Sequence, residues 1–109
     1  MIEIIIHRRG NQYAGFVSKG HAGYAEEGYD IICAAVSVLT VNTINSIEAF
    51  TTDHFAVRQG DGLVELILDG TVSKETALLI DSMILGLQDI QKNYGNEYMN
   101  IICEEIGRA

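Results

Sequence analysis

A long segment without any charged side chain, residues 31–47, constrains the fold more than any other part of the chain. This segment is predicted to form a helix. Its apolar residues surround the helix axis instead of forming one stripe, so other parts of the protein must cover the helix on most sides. Serine, threonine and asparagine interrupt the segment, and no apolar run approaches the length of a membrane span. Because a domain of 109 residues has little material to cover this helix, we expect a second copy of the chain to cover part of it, or the sheet face opposite.

Segments rich in β-branched residues lie on both sides of this helix and are separated by turn signals. A second helix is predicted between Ser73 and Gly95, with one apolar face and an acidic first turn. The order is β-β-α-β-β-α-β within one domain, residues 1–109. It favours an α+β fold with a mostly antiparallel five-stranded sheet and both helices on one face, and it leaves the strand order open. The predicted strands are 2–9, 13–18, 55–58, 63–68 and 98–103.

The net charge of −8 argues against nucleic acid as a partner, because a phosphate backbone requires a basic surface. The first residues carry an acid early and two arginines after the apolar run, which is the wrong order for a secretory signal. We therefore expect a cytoplasmic protein with no membrane partner. Its two cysteines, Cys33 and Cys103, are expected to be free thiols, and Cys103 to be structural within an apolar strand.

Residues 20–35 contain the side chains best suited to chemistry. His21 follows Gly20 on a predicted bend, and Cys33 lies in the first turn of the uncharged helix. A helix N-terminus and a nearby imidazole both favour a reactive thiolate. The intervening segment, which contains Gly23 and Gly28, is typical of a solvated loop that can bring His21 to Cys33. The alternative is that Cys33 is a small buried apolar residue.

Asp30 has two possible roles, as the N-cap of the helix and as the group that orients His21. Ser37 lies one turn after Cys33 on the same helix face and is a candidate contact for substrate or thiol. His7 and His54 are weaker candidates for the base. A zinc site of His21, Asp30 and Cys33 is a further alternative, but the usual paired ligand spacing is absent. We expect no metal and no cofactor.

The pattern Gly-His-Ala…Tyr-Asp-Ile-Ile-Cys-Ala-Ala-x-Ser resembles the ribosomal-processing cysteine protease family, Prp, over essentially the whole chain. The resemblance implies that Cys33 is the nucleophile and His21 its proton-transfer partner. Asp30 and Ser37 match further positions around the site. Gly20, Gly23 and Gly28 are interpreted as substrate-binding residues of the loop.

The resemblance also implies a homodimer that removes a short N-terminal extension from ribosomal protein number twenty-seven of the bacterial large subunit. Amide groups at the helix N-terminus are the expected oxyanion donors. The alternative function is a non-catalytic dimeric module that binds a peptide during ribosome assembly. Slow alkylation of Cys33, or tight peptide binding without turnover, would favour this alternative.

Overall fold

The computed structural model of the chain describes residues 1–26 and 29–107. Its elements follow the predicted order β-β-α-β-β-α-β, and the differences from prediction are confined to the ends of elements. The strands and helices are β1 (Ile2–Arg9), β2 (Gln12–Lys19), α1 (Ile31–Phe50), β3 (His54–Gly60), β4 (Leu63–Asp69), α2 (Lys74–Tyr94) and β5 (Met99–Glu105).

The five strands form one sheet in the order β3-β4-β2-β1-β5. Three of the four strand pairs are antiparallel, whereas β5 runs parallel to β1. The predicted, mostly antiparallel sheet is therefore confirmed. The parallel pair follows from the connection, because α2 carries the chain from the β3–β4 hairpin to the opposite edge of the sheet.

The core lies between one face of the sheet and the two helices. Alternate residues of β1, namely Ile2, Ile4 and Ile6, are buried, as are Phe16 of β2 and Leu66 of β4. Full burial of such a side chain contributes about 1.5–3 kcal/mol relative to exposure. The helices supply the other half of the core with Ile32, Val36, Ile44, Ile47, Ile80, Met83 and Leu87. Both helices therefore cover the same face, as predicted.

Both helices begin, and α2 also ends, at a residue with a local reason to be there. Asp30 is the N-cap of α1, and Ser73 is the N-cap of α2, where its Oγ accepts from the Thr76 amide at 3.2 Å. Gly95 ends α2 with a φ of +98°, a conformation that favours glycine. All three positions agree with the sequence analysis.

Two expectations about apolar segments were wrong. Helix α1, at 20 residues, is long and apolar enough to cross a membrane by length and composition. Its inner side is nevertheless part of the core, and the Thr40 hydroxyl there is buried and donates to the Val36 carbonyl at 2.9 Å. Cys103, expected to be structural, is exposed because β5 is an edge strand.

Candidate active site

The N-cap of α1 joins the helix to the loop that precedes it. Asp30 Oδ1 accepts hydrogen bonds from the amides of Ile32 and Cys33, both at 3.0 Å. Its other oxygen, Oδ2, accepts from the amide of Tyr24 in the loop, also at 3.0 Å. One carboxylate thus ties the loop to the first turn of the helix.

These amides also lower the pKa of the Asp30 carboxyl group. Burial alone would raise its pKa, but backbone hydrogen bonds from Cys33, Tyr24 and Ala25 outweigh this effect. The pKa of Asp30 is therefore held below its ordinary value. Asp30 is ionised at neutral pH, and its negative charge stands beside the thiol.

Cys33 is the third residue of α1 and is partly buried. Its Sγ accepts a hydrogen bond from the amide of Ala22 at 3.2 Å, so the loop folds back onto the helix as predicted. Burial raises the pKa of Cys33, and the Asp30 charge raises it further. The Ala22 amide and the Met1 amino group act in the opposite direction without cancelling the increase. Cys33 is consequently a thiol at neutral pH when no substrate is bound.

His21 stands just after the end of β2, on backbone that requires glycine on one side. Gly20 has a φ of +92°, and a Cβ there would lie 2.7 Å from the Met1 carbonyl oxygen. The Gly20 amide donates to the carbonyl of Gly62 in the β3–β4 turn at 2.9 Å. These constraints place the His21 side chain beside that turn, with 60% of its surface exposed.

The acidic neighbour of the His21 ring is Asp61 in the β3–β4 turn. Asp61 Oδ1 lies 3.8 Å from His21 Nε2, and the two form an ion pair when the ring is protonated. The Asp30 carboxylate, which the sequence suggested as the orienting group, makes its hydrogen bonds to amides instead. Sequence reasoning missed Asp61 because the glycines on either side of it were fully explained by a turn.

His21 and Cys33 line two adjoining clefts. The first, about 350 Å³, is also walled by Gly23, Ala25, Asp30, Ala34, Ser37 and Asp61. The second, about 280 Å³, extends toward β4 and is also lined by Gly20, Ser37, Thr40, Asp61, Gly62 and Leu63. A peptide lying across both clefts would pass His21, Cys33, Ser37 and Asp61, because these four residues belong to both.

The structure thus gathers most of the predicted site residues at one place. His21, Asp30, Cys33, Ser37 and Gly23 share the first cleft, and Gly20 contributes to the second. Gly28 lies outside the described residues. In the part of the chain that the structure describes, His7 and His54 line neither cleft.

The expected oxyanion donors are already occupied in the structure. The Ile32 and Cys33 amides donate to Asp30, and the Ala34 amide donates to the Asp30 carbonyl at 3.1 Å. The amide that approaches Sγ belongs to Ala22, which sequence reasoning did not single out. The residue type does not reveal such a donor, because the backbone amide is the same in nearly every residue.

A cluster of tyrosines fixes the loop at its outer end. The ring of Tyr24 meets Tyr94 and Tyr98 edge-on, with centroid separations of 5.7 and 5.2 Å. Tyr94 is the last residue of α2, and Tyr98 immediately precedes β5. The loop is therefore attached to α1 through Asp30 and to the end of α2 through Tyr24.

Metal binding at these residues has no geometric support. Over residues 1–26 and 29–107, no three His, Cys, Asp or Glu side chains are grouped closely enough to hold an ion. The zinc alternative would have needed His21, Asp30 and Cys33 to converge on one point.

Comparison with known proteins matches this arrangement to a protease family. The sequence profile of the cysteine protease Prp family matches residues 1–99. The chain belongs to this family. Membership identifies it as a cysteine protease.

Two curated members of the Prp family are similar along most of their length. The ribosomal processing cysteine protease Prp of Staphylococcus aureus is 26% identical over 95 residues, which cover 85% of this chain and 89% of that protein. The Bacillus subtilis protein of the same name is 29% identical over 101 residues, with 86% and 90% covered.

Solved structures of the S. aureus Prp protease have the same fold. One, in complex with a covalently linked product peptide, has a TM-score of 0.88 at 26% identity and covers 95% of this chain and 100% of that chain. Another, in complex with a substrate peptide, has a TM-score of 0.83 at 25% identity with the same coverage. The family fold therefore accommodates a peptide.

Proposed function

We propose that this protein removes a short N-terminal extension from ribosomal protein number twenty-seven of the large subunit, acting as one protease domain over residues 1–109. The observation that carries the proposal is that His21 and Cys33 line the same clefts, with the Ala22 amide directed at Sγ. The S. aureus and B. subtilis relatives are named as ribosomal processing proteases, which supports a ribosomal substrate.

In the proposed reaction, His21 takes the proton from the Cys33 thiol as Sγ attacks the scissile carbonyl carbon. The raised pKa of Cys33 favours this order, because a thiol at rest must lose its proton during the reaction. The new bond joins Sγ to carbon, and the carbonyl oxygen becomes an oxyanion. Ala22 is the proposed donor to it, since its amide lies 3.2 Å from Sγ and is not bonded within a helix.

The tetrahedral intermediate then collapses as the carbon–nitrogen bond breaks. His21 returns its proton to the leaving amine, and an acyl-thioester on Cys33 remains. Water, deprotonated by His21, attacks this thioester. The carbon–sulfur bond then breaks, the second product leaves with a new carboxyl group, and His21 returns its proton to the Cys33 sulfur. The cycle needs no metal and no cofactor.

The acidic surroundings of the cleft support a basic substrate. Asp30 and Asp61 line the first cleft, and the whole chain has a net charge of −8. Ribosomal proteins are generally basic, so attraction between opposite charges favours their association. We place the reaction in the cytoplasm, with no direct contact to nucleic acid or membrane. Ser37 and Gly23 would contact the bound peptide.

The proposal is tested by incubating the extended ribosomal protein with wild type, Cys33→Ala and the matched control Cys103→Ala. Cys33→Ala should reduce cleavage by roughly 10⁴-fold or more, because the covalent route is lost. Cys103→Ala, at an exposed cysteine of β5, should cleave like wild type. Product masses give the cleavage point, and circular dichroism checks folding. Intact substrate with folded, reduced wild type would contradict the proposal and favour a peptide-binding module.

We also propose that the protein is a homodimer in which the outer sides of the two helices meet. Helix α1 exposes Ile31 and Val38 to 51% and 67%, and α2 exposes Leu78 and Leu85 to 68% and 70%. Each pair is seven residues apart, so each lies along one side of its helix. Large exposed apolar side chains that lie along one side of a helix are typical of a protein interface, and on α1 they lie in the uncharged segment 31–47.

Sedimentation at micromolar concentration tests the homodimer. It also distinguishes an interface on the outer sides of the helices from one on the opposite face of the sheet. Val38→Glu on α1 should yield a monomer, whereas Ile67→Glu should leave the dimer intact. Ile67 is the matched control because it is 45% exposed and alternates with buried Leu66 and Leu68 of β4, so it lies on the sheet face opposite the helices. A monomeric wild type would contradict the proposal, and dissociation by Ile67→Glu alone would move the interface to the sheet.

A further inference from the structure

The β3–β4 turn lies against the His21 ring, although it is far from His21 in the sequence. The turn contains Gly60 at the end of β3, then Asp61 and Gly62. The Gly62 carbonyl accepts from the Gly20 amide at 2.9 Å, which fixes the turn to the residue before His21. This backbone contact keeps the turn and the histidine together.

Gly62 provides the surface on which the ring rests. A Cβ at this position would lie 2.9 Å from His21 Nε2 and 3.3 Å from its Cε1. The φ of Gly62 is +65°, which side-chain-bearing residues rarely adopt. Any other residue would therefore strain the turn and displace the imidazole.

The charges around His21 come from three elements besides its own. Asp61 Oδ1 on the turn lies 3.8 Å from Nε2, and α1 contributes Cys33 and its cap Asp30 to the shared cleft. The Met1 amino group acts on Cys33 from the start of β1. Lys19, two residues before His21, pairs with Glu3 at 3.4 Å.

Of these groups, Asp61 is the one suited to stabilise a protonated ring. The Asp30 carboxylate is already occupied by three amides, whereas Asp61 is 91% exposed and has its Oδ1 directed toward Nε2. His21 becomes positively charged whenever it holds the proton of Cys33. A carboxylate about 4 Å away favours that charged form.

We propose that Asp61 and Gly62 are positioning residues for His21, with Asp61 stabilising the imidazolium and Gly62 seating the ring. The inference rests on the proposed role of His21 as the proton carrier. It assigns a function to the β3–β4 turn beyond the connection of two strands.

Because both partners are exposed, the effect of this ion pair should depend on the salt concentration. His21 and Asp61 are 60% and 91% exposed, so water and salt screen their attraction strongly. The contribution of Asp61 should therefore be modest at low ionic strength and should vanish at high salt. A purely structural role of Asp61 in the turn would not depend on salt in this way.

The electrostatic part is tested by measuring kcat and KM for cleavage of the extended ribosomal protein, at low salt and in 1 M NaCl, with wild type, Asp61→Asn and Asp69→Asn. Asp69 is the matched control, because it is an exposed carboxylate on the same hairpin and is paired in register with His54. Asp61→Asn should lower kcat about two- to threefold at low salt, and its kcat should equal that of wild type in 1 M NaCl. Asp69→Asn should have the kcat of wild type at both salt concentrations. Equal kcat values of wild type and Asp61→Asn at low salt, or a loss that persists unchanged in 1 M NaCl, would overturn the role of Asp61.

The proposed seating of the His21 ring on Gly62 is tested with Gly62→Ala and the matched control Gly10→Ala. Gly10, in the β1–β2 turn, has a φ of +64°, but a Cβ there would meet nothing within 4 Å. Both variants carry similar backbone strain, and only Gly62→Ala displaces the imidazole. We expect kcat to fall about tenfold or more in Gly62→Ala, with KM nearly unchanged, and to stay within twofold of wild type in Gly10→Ala.

The two tests separate this inference from the proposed function. If Gly62→Ala cleaves as fast as Gly10→Ala, the seating role is wrong even though the protease assignment stands. If wild type does not cleave the ribosomal protein, the proposed function is wrong and this inference falls with it. If wild type cleaves and Asp61→Asn matches it at low salt, only the role of Asp61 is wrong.

Discussion

The two helices begin with similar caps that have different consequences. Ser73 caps α2 and is itself held by Asp53, whose Oδ2 accepts from the Ser73 amide at 2.9 Å and the Ser73 hydroxyl at 2.8 Å. Asp30 caps α1 and holds the Tyr24 amide of the loop. The α2 cap therefore closes a structural corner between β3 and a helix, whereas the α1 cap joins a helix to the loop that carries His21.

The first helical turn after each cap differs in its chemistry. In α2 this turn contains Glu75, which suits the positive end of the helix, whereas in α1 it has no acidic residue and contains Cys33. The charge that satisfies the α1 amides also raises the pKa of the thiol, after the larger effect of burial. Asp30 thus stabilises α1 and at the same time disfavours the thiolate form of Cys33.

The largest expected effect separates the two caps by activity. Asp30→Ala and Ser73→Ala should each lower the free energy of unfolding by about 1–2 kcal/mol, because each removes an N-cap. Only Asp30→Ala should also lower kcat/KM, by about tenfold or more, since it releases the loop from α1. Urea denaturation and peptide cleavage are measured on the same samples. Equal activity of the two variants would mean that the Asp30 cap is as purely structural as that of Ser73.

A smaller effect is expected on the reactivity of the thiol. Asp30→Asn keeps a good N-cap but removes the charge, so the pKa of Cys33 should fall and the thiolate fraction should rise. We expect iodoacetamide to alkylate Cys33 about threefold faster at pH 7. Asp53→Asn, the matched change at the α2 corner, should leave the rate unchanged. Peptide mapping separates Cys33 from Cys103, and an unchanged or slower rate in Asp30→Asn would contradict the electrostatic effect.

The smallest effect concerns stability in acid, which Asp30 at the α1 cap and Asp53 at the α2 cap should influence alike. Burial would raise the pKa of Asp53, but hydrogen bonds from Thr76 and Ser73 lower it overall, as amides do for Asp30. A depressed pKa stabilises the fold above the ordinary value of 3.8, and this stabilisation is lost as pH falls through the folded value.

Urea midpoints between pH 5 and pH 2.5 measure this loss. Asp30→Asn and Asp53→Asn should each flatten the acid decline in the free energy of unfolding by a few tenths of a kcal/mol, roughly the value of a partly exposed pair. A decline as steep as that of wild type in both variants would show that other carboxylates control acid unfolding.

Local signals explain how much of the fold was predictable. The caps Asp30 and Ser73 and the stop at Gly95 act on their own helix ends, so sequence placed both helices closely. The parallel pairing of β5 with β1 depends on contacts between the two ends of the chain, and no local pattern encodes it. Because the strand order was left open, Cys103 was wrongly expected to be structural. It is exposed on β5, which is an edge strand.

The site was predictable where side-chain identity carries the chemistry. His21, Asp30, Cys33 and Ser37 stand out by residue type and spacing, and the structure places them in one cleft. Asp61 already had a sufficient local explanation as a turn residue, and only the fold brings it to His21. The Ala22 amide is part of the backbone, which is the same for nearly every residue type.

The tyrosine cluster makes intrinsic tyrosine fluorescence a reporter of the position of the loop that contains Tyr24. The chain has five tyrosines and no tryptophan, so tryptophan emission does not mask the tyrosine signal. Tyr24 on the loop packs against Tyr94 and Tyr98 on the body of the fold, and its fluorescence depends on those neighbours. Any movement of the loop away from α2 changes this emission. Unlabelled enzyme mixed with peptide in a stopped-flow instrument thus reports loop movement alongside turnover.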